Sequence, residues 1–225
     1  RKKDSPVFNA GDALLLLDQG GGSLEVSYFL PGEKKRWNVH SFDDLGSVAL
    51  RDRFFSLGSV KKKKLHNDIE RKQERLIQYI SKRLELWDGY PVLHGRKVHV
   101  YAMGSLASLM LRGNSYDIHN RQITKKFMLG KIKYNKRMLR KHYHSVSELY
   151  KVMQDEQMGR SNQMKSVSQR LLLTSGLPAY VGVLKRFQAD AMQMCGYGLR
   201  YGVFIRLYEQ DAQDLGMPPI HNHSG

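Results

Sequence analysis

The sequence predicts an α/β domain built on a mixed sheet, and two observations carry that expectation. Leu14-Leu15-Leu16-Leu17 runs into Asp18, the chain turns on Gly20-Gly21-Gly22, and Ser23-Leu24-Glu25-Val26-Ser27-Tyr28-Phe29-Leu30 leaves with apolar and polar residues alternating. A continuous apolar run reads as a strand buried on both faces, and the alternation has strand period. The pair forms a hairpin in which Asp18 ends the first strand and Glu25 begins the second. Beyond the hairpin, segments of helical spacing alternate with short strand candidates, which adds parallel pairing to the antiparallel start.

Residues 1–11 are basic and then turn-like, and read as a hinge from a missing N-terminal domain. A third strand is expected from Trp37 to Phe42, with a loop from Asp43 to Ser47. From Leu65 to Trp87, the residues Ile69, Leu76, Ile77, Ile80, Leu84 and Trp87 fall on one helical face, and Asp88-Gly89-Tyr90-Pro91 ends that helix. The strand Val98 to Met103 feeds a helix from Leu106 to Leu111, closed by Arg112-Gly113-Asn114. Residues 114–134 are polar and basic, and read as a loop or short lobe. Ser145-Val146-Ser147-Glu148 has the capping-box form and predicts a helix from Val146. Another helix is expected from Ser166 to Leu173, and Pro178 suits the first turn of the next, which runs to about Met194. A short last strand ends near Tyr197, followed by a helix from Leu199 to Tyr208. Residues 12–208 thus form the domain, and 209–225 a C-terminal tail.

Charge is the unusual bulk property. Thirty-seven basic against 21 acidic residues in 225 give +16, which favours polyanions: polyphosphate, nucleic acid or acidic membrane. A basic face without specific use fits the same numbers. The single Cys195 excludes an intramolecular disulfide and a multi-cysteine metal site, and reads as a small buried residue. Met192 and Met194 read as core. No apolar run has the length of a membrane helix and no signal-peptide pattern opens the chain, so no membrane is expected and the cytoplasm is the expected location. The chain begins at Arg1 without methionine, so upstream sequence is expected to have been cut away.

The glycine loop carries the chemistry. Glycines let backbone N–H groups approach a phosphate, and two nearby carboxylates can hold a hard divalent cation. A hairpin with a flexible glycine tip fits the same residues. Three further segments recur in order: Ser56-Leu57-Gly58-Ser59-Val60-Lys61, then Val98 to Met103 leading into Gly104-Ser105, then Gly196-Tyr197-Gly198-Leu199-Arg200-Tyr201-Gly202. Gly104-Ser105 at a helix N-terminus suits an anion, or is an ordinary cap. Lys61 to Lys64 reads as a solvated run, or as a guide for a polyanion. His142 and His144, like His221 and His223, have no partnered acid at metal spacing and read as surface residues.

Together these segments resemble the second domain of the exopolyphosphatase/guanosine pentaphosphate phosphatase (Ppx/GppA) family. That family writes the four places as Asp-Ile-Gly-Gly-Gly-Ser-Thr-Glu, Ser-Leu-x-x-Gly-Ala-Val-Arg, Gly-Thr-Gly-Gly-Thr and Gly-Leu-Arg-Glu-Gly. The resemblance covers about residues 12 to 208. It implies an actin/Hsp70/sugar-kinase-like (ribonuclease H-like) domain, and hydrolysis of terminal phosphate from inorganic polyphosphate or a (p)ppGpp-type nucleotide with Mg²⁺ or another divalent cation. Asp18 and Glu25 match the acids implied to act on metal or water. Gly20, Gly21, Gly22, Ser23, Gly58, Gly104, Ser105 and Arg200 match the phosphate-binding positions. Family members also carry a first domain with its own phosphate loop and a catalytic glutamate; no such segment occurs here, so this piece holds one wall of a cleft. The implied partners are therefore the substrate, the missing N-terminal domain and, as a possible assembly, a homodimer.

Departures from the family pattern are local. Leu24 stands for the loop threonine, Ser105-Leu106 for Gly-Thr, Pro178-Ala179-Tyr180 for Arg-Ala-Asp, and Tyr201 for a glutamate. The core acids remain, so a divergent enzyme fits, as does a non-catalytic polyphosphate-binding sensor. A basic nucleic-acid-binding module is a third reading, motivated by Tyr/Lys/Arg interleaving from Lys125 to Tyr143, although no recognised nucleic-acid motif supports it.

Overall fold

A computed structural model describes residues 9, 11–31, 38–55, 65–111, 121–142, 148 and 165–195. The hairpin forms as expected: β1 (Ala13–Gln19) pairs antiparallel with β2 (Leu24–Phe29), which pairs antiparallel with β3 (Asn38–Phe42). On its other side β1 pairs in parallel with β4 (Val98–Met103), and β4 in parallel with β6 (Ala191–Met194). A short β5 (Gln122–Thr124) closes the far edge antiparallel to β6, giving the order β3-β2-β1-β4-β6-β5. This is the mixed sheet that the alternating pattern predicts.

Burial along β1 alternates strictly. Ala13, Leu15, Leu17 and Gln19 are fully buried on one face, whereas Leu14, Leu16 and Asp18 are half-buried on the other. The expectation of a strand buried on both faces is corrected: an apolar run does not distinguish full from one-sided burial.

Helices α1 (Ser47–Phe55), α2 (Leu65–Glu85), α3 (Gly89–Leu93) and α4 (Ser105–Leu111) follow in order, then α5 (Lys125–His142) and α6 (Lys165–Arg186). α2 and α4 lie where the periodicity places them; Leu76, Ile80 and Leu84 of α2 are fully buried at successive i, i+4 steps. α6 is the hub, packing on α1, α2, α4 and α5.

Three expectations fail for identifiable reasons. Helix α6 runs through Pro178, where the sequence predicts two helices. Leu171 and every described residue from Leu173 to Leu184 are buried, and this packing outweighs a helix-interior proline's cost of ~3 kcal/mol. The second predicted helix therefore ends at Arg186, and Met192 and Met194 enter the core from β6 instead, both buried. Residues 114–134 are not simply a loop, because β5 and most of α5 fall there or just beyond. Thr124 Oγ1 caps α5 by accepting from the Phe127 N–H at 3.1 Å, and Met128, Ile132 and Leu139 form its buried stripe. Cys195 is half-buried, not enclosed; its N–H donates to the Ala102 carbonyl at 2.7 Å. The helices expected from Val146 and from Leu199, and the strand end near Tyr197, lie outside the described residues apart from Glu148, which is helical.

Candidate functional site

Asp18 and Glu25 are direct register partners across the β1–β2 ladder. Opposite residues of an antiparallel pair project to the same face with Cβ atoms about 5 Å apart, and like charges there are destabilising. Burial raises the Asp18 pKa, and the charge of Glu25 raises it further. Ser23 Oγ donates to Glu25 Oε1 at 2.5 Å; Ser41 Oγ lies 3.4 Å from that oxygen and 2.9 Å from Asp43 Oδ1.

The glycine loop is held from behind by α1. Gly20 O accepts from both the N–H and the hydroxyl of Ser47, at 3.0 and 3.1 Å. Gly21 O accepts from the N–H groups of Val48 and Ala49, at 2.8 and 3.2 Å. In a trans peptide the N–H points opposite to the carbonyl of the same plane. Fixing the Gly20 and Gly21 carbonyls on α1 therefore turns the Gly21 and Gly22 N–H groups away from it. Among the described residues the N–H groups of Gly21, Gly22 and Ser23 have no hydrogen-bond partner.

Gly104 stands against the same acid. Its φ of +97° is a left-handed conformation, and a Cβ there would lie 2.5 Å from Asp18 Oδ1 and 3.0 Å from Gln19 O. The first and second glycine segments thus meet at Asp18, the parallel register placing Asp18 beside Met103. The backbone of Ser105 opens α4 directly after this contact. Gly58 and Arg200, and with them Lys61 to Lys64 and Tyr201, lie outside the described residues.

Supporting residues that sequence reasoning missed surround this point. Gly46 packs so tightly on the loop that a Cβ would sit 2.2 Å from Gly22 C and 2.3 Å from Ser23 N. Gln19, fully buried, donates through Nε2 to Leu45 O at 3.0 Å and so ties the end of β1 to the turn before α1. Tyr180 is fully buried and donates to Met103 O at 3.2 Å. Its pKa is raised, first by burial and then by the charge of Asp18. A neutral hydroxyl therefore stands near Asp18. The Asp-Asp-Leu-Gly-Ser string before α1 carried a signal for Gly46, since Gly-Ser is a plausible helix entry; for Tyr180 the only signal was its departure from the motif.

A cavity of about 620 Å³ lies at the opposite end of β4, lined among others by His94, Lys97, His99 and Arg186. Neither Asp18 nor Glu25 lines it. Ligands of open α/β sheets bind outside the carboxyl ends of the parallel strands, where Asp18 and Gly104 sit. The glycine loops are therefore the candidate site.

A mixed six-stranded sheet in the order β3-β2-β1-β4-β6-β5 with helices packed on it has the fold of the actin/Hsp70/sugar-kinase-like class. The Ppx/GppA phosphatase family matches residues 7–211, and the chain belongs to that family. The crystal structure of the Aquifex aeolicus Ppx/GppA family member superposes with a TM-score of 0.60 at 20% identity, covering 88% of this chain and 57% of that one. The type II variant of the Aquifex aeolicus Ppx/GppA phosphatase gives 0.55 at 22%, covering 86% and 56%. An exopolyphosphatase from Cytophaga hutchinsonii gives 0.54 at 14%, covering 92% and 59%. The chain thus spans a little over half the length of these solved relatives. No curated protein matches it by sequence. Among the described residues no helix is long and apolar enough to cross a membrane.

Proposed function

We propose that this chain forms one wall of the active site of an exopolyphosphatase-like phosphoanhydride hydrolase, acting on the terminal phosphate of inorganic polyphosphate. The observation that carries the reading is the like-charged pair Asp18–Glu25, in register at the mouth of a glycine loop whose N–H groups have no partner among the described residues. Two carboxylates held side by side against their own repulsion are a cation site in search of a charge. Among the described residues no group of three or more His, Cys, Asp or Glu side chains forms a metal cage. A pair of carboxylates is enough for Mg²⁺, which takes one or two and completes its shell with water and substrate phosphate.

Asp18 and Glu25 would hold the ion, and the ion would neutralise phosphoryl oxygens and orient water. The Gly21, Gly22 and Ser23 N–H groups donate to phosphate oxygens as negative charge builds on them. Ser23 Oγ, donating to Glu25, fixes that carboxylate's direction. Gly104 leaves room for Asp18 to reach the ion. In the reaction the water oxygen bonds to the terminal phosphorus, the bridging P–O bond breaks, and the shortened chain leaves as the anion. The other wall, with its own phosphate loop and the glutamate that takes the water's proton, belongs to the first domain implied by the family pattern. Polyphosphate is preferred over a guanosine polyphosphate because the net charge of +16 suits a long polyanion.

The test is phosphate release from polyphosphate with Mg²⁺, using this chain joined to a family first domain. Asp18→Ala and Glu25→Ala are each expected to lower turnover by about 100-fold or more. Wild-type turnover by both variants would overturn the roles. Tight polyphosphate binding with no turnover by the parent protein would favour a sensor.

A further inference from the structure

Helix α5 carries eight lysines and arginines and no acid in its 18 residues. Its apolar stripe of Met128, Ile132 and Leu139 is buried against the protein, so the face left to solvent is the cationic one. Lys126, Lys133, Arg137 and Lys141 are exposed there. That disposition does not suit insertion into a lipid surface, which needs the apolar face free.

The exposed face is not uniformly polar. Phe127 is 39% exposed and Tyr134 49%. Being seven residues apart, they lie two helical turns apart on one side, about 10 Å along the axis. Gly130 lies between them, and a Cβ at Gly130 would meet nothing within 4 Å. The gap is the mouth of a groove of about 430 Å³ whose lining also includes Met110 and Leu173. Each ring has its own cation: Lys131 Nζ lies 5.3 Å from the Phe127 centroid and the Arg170 guanidinium 5.7 Å from that of Tyr134.

A pure phosphate chain would use the cations and gain nothing from two exposed rings over an apolar floor. A ligand with flat apolar rings strung on phosphates uses both. We propose that this face of α5 binds single-stranded nucleic acid, with a base in the groove between Phe127 and Tyr134 and the phosphodiesters on the surrounding lysines and arginines. Aromatic stacking platforms set in a cationic track are the general means of holding such strands.

The experiment is fluorescence anisotropy of the 225-residue chain with labelled oligo-uridylate and oligo-thymidylate, and in parallel with labelled polyphosphate of matched charge. Tyr134→Ala is expected to weaken oligonucleotide binding by about 10-fold or more, while Tyr134→Phe keeps it and polyphosphate binding is unchanged. Gly130→Glu, which fills the groove and adds a negative charge, should weaken oligonucleotide binding at least as far, and Gly130→Ala should not. Because both positions are exposed, circular dichroism should be unaltered. Equal weakening toward oligonucleotide and polyphosphate, or no weakening by Tyr134→Ala and Gly130→Glu, overturns the proposal.

Discussion

Asp18 shows how a candidate site residue costs stability. Burial and the facing Glu25 raise its pKa above the unfolded value, so its contribution to folding is most favourable below the ordinary carboxylate range and is lost as pH rises through the raised value. Asp18→Asn should therefore raise the melting temperature at neutral pH, and the gain should shrink toward zero as pH falls below about 4. Thermal unfolding across that range checks it; a variant less stable than the parent at pH 7 would contradict the sign. The same residue predicts that Mg²⁺ affinity climbs as pH rises through the Asp18 pKa and then levels, with proton release on binding, measurable by titration calorimetry in buffers of different ionisation heat. Gly104 supplies a second residue-scale prediction. Gly104→Ala must place a Cβ at φ +97° and 2.5 Å from Asp18 Oδ1, so it should cost roughly 1–3 kcal/mol in denaturant unfolding and abolish the Mg²⁺ response.

At the scale of elements, the hairpin was legible because its signals are local. Apolar alternation, three successive glycines and two flanking acids give β1, β2 and an acid on each side of the loop without any tertiary information. The register that sets Asp18 opposite Glu25 comes from the structure. What sequence reading missed depends on distant partners. α1 has no strong apolar stripe, and its first N–H groups are capped by Gly20 and Gly21 from the hairpin, a bond no local window contains. The same holds for Gly46, whose need for no side chain comes from the backbone of Gly22 and Ser23. α6 crosses Pro178 because four other helices enclose it. α5 is a different failure: its buried positions 128, 132 and 139 have helical spacing, but the lysines between them hid the pattern. Its exposed Gly130 gives a clean prediction. Gly130→Ala should stabilise the protein by about 1 kcal/mol in chemical denaturation, since a helix-interior glycine costs that much and open space surrounds the position. A destabilised variant would mean that Gly130 is not an ordinary solvent-facing helix residue.

At the scale of the whole molecule, the proposed site and the net charge are two separate contributions to binding a polyanion. The loops that meet at Asp18 lie at the carboxyl ends of the central strands β1 and β4, and the chain as a whole carries +16. On the proposed function, a polyanion would be drawn by a long-range field before short-range N–H groups and a cation fix one phosphate. These two contributions respond differently to salt. The field is screened over about 8 Å at physiological ionic strength, whereas hydrogen bonds and metal bonds within the loop are screened far less. Polyphosphate binding to this chain should consequently weaken steeply with added salt, and Asp18→Ala should lower the affinity measured with Mg²⁺ while leaving the salt slope unchanged. Hydrolysis by the chain alone should be slow or absent, because the proposed cleft needs a second wall. Phosphate release with and without a joined family first domain, together with binding titrations at several salt concentrations, tests both parts. Rapid turnover by the 225-residue chain would show that the glycine hairpin, Asp18 and Glu25 suffice and that the cleft reading is wrong. A salt-independent affinity would show instead that the net charge has no part in capturing the substrate.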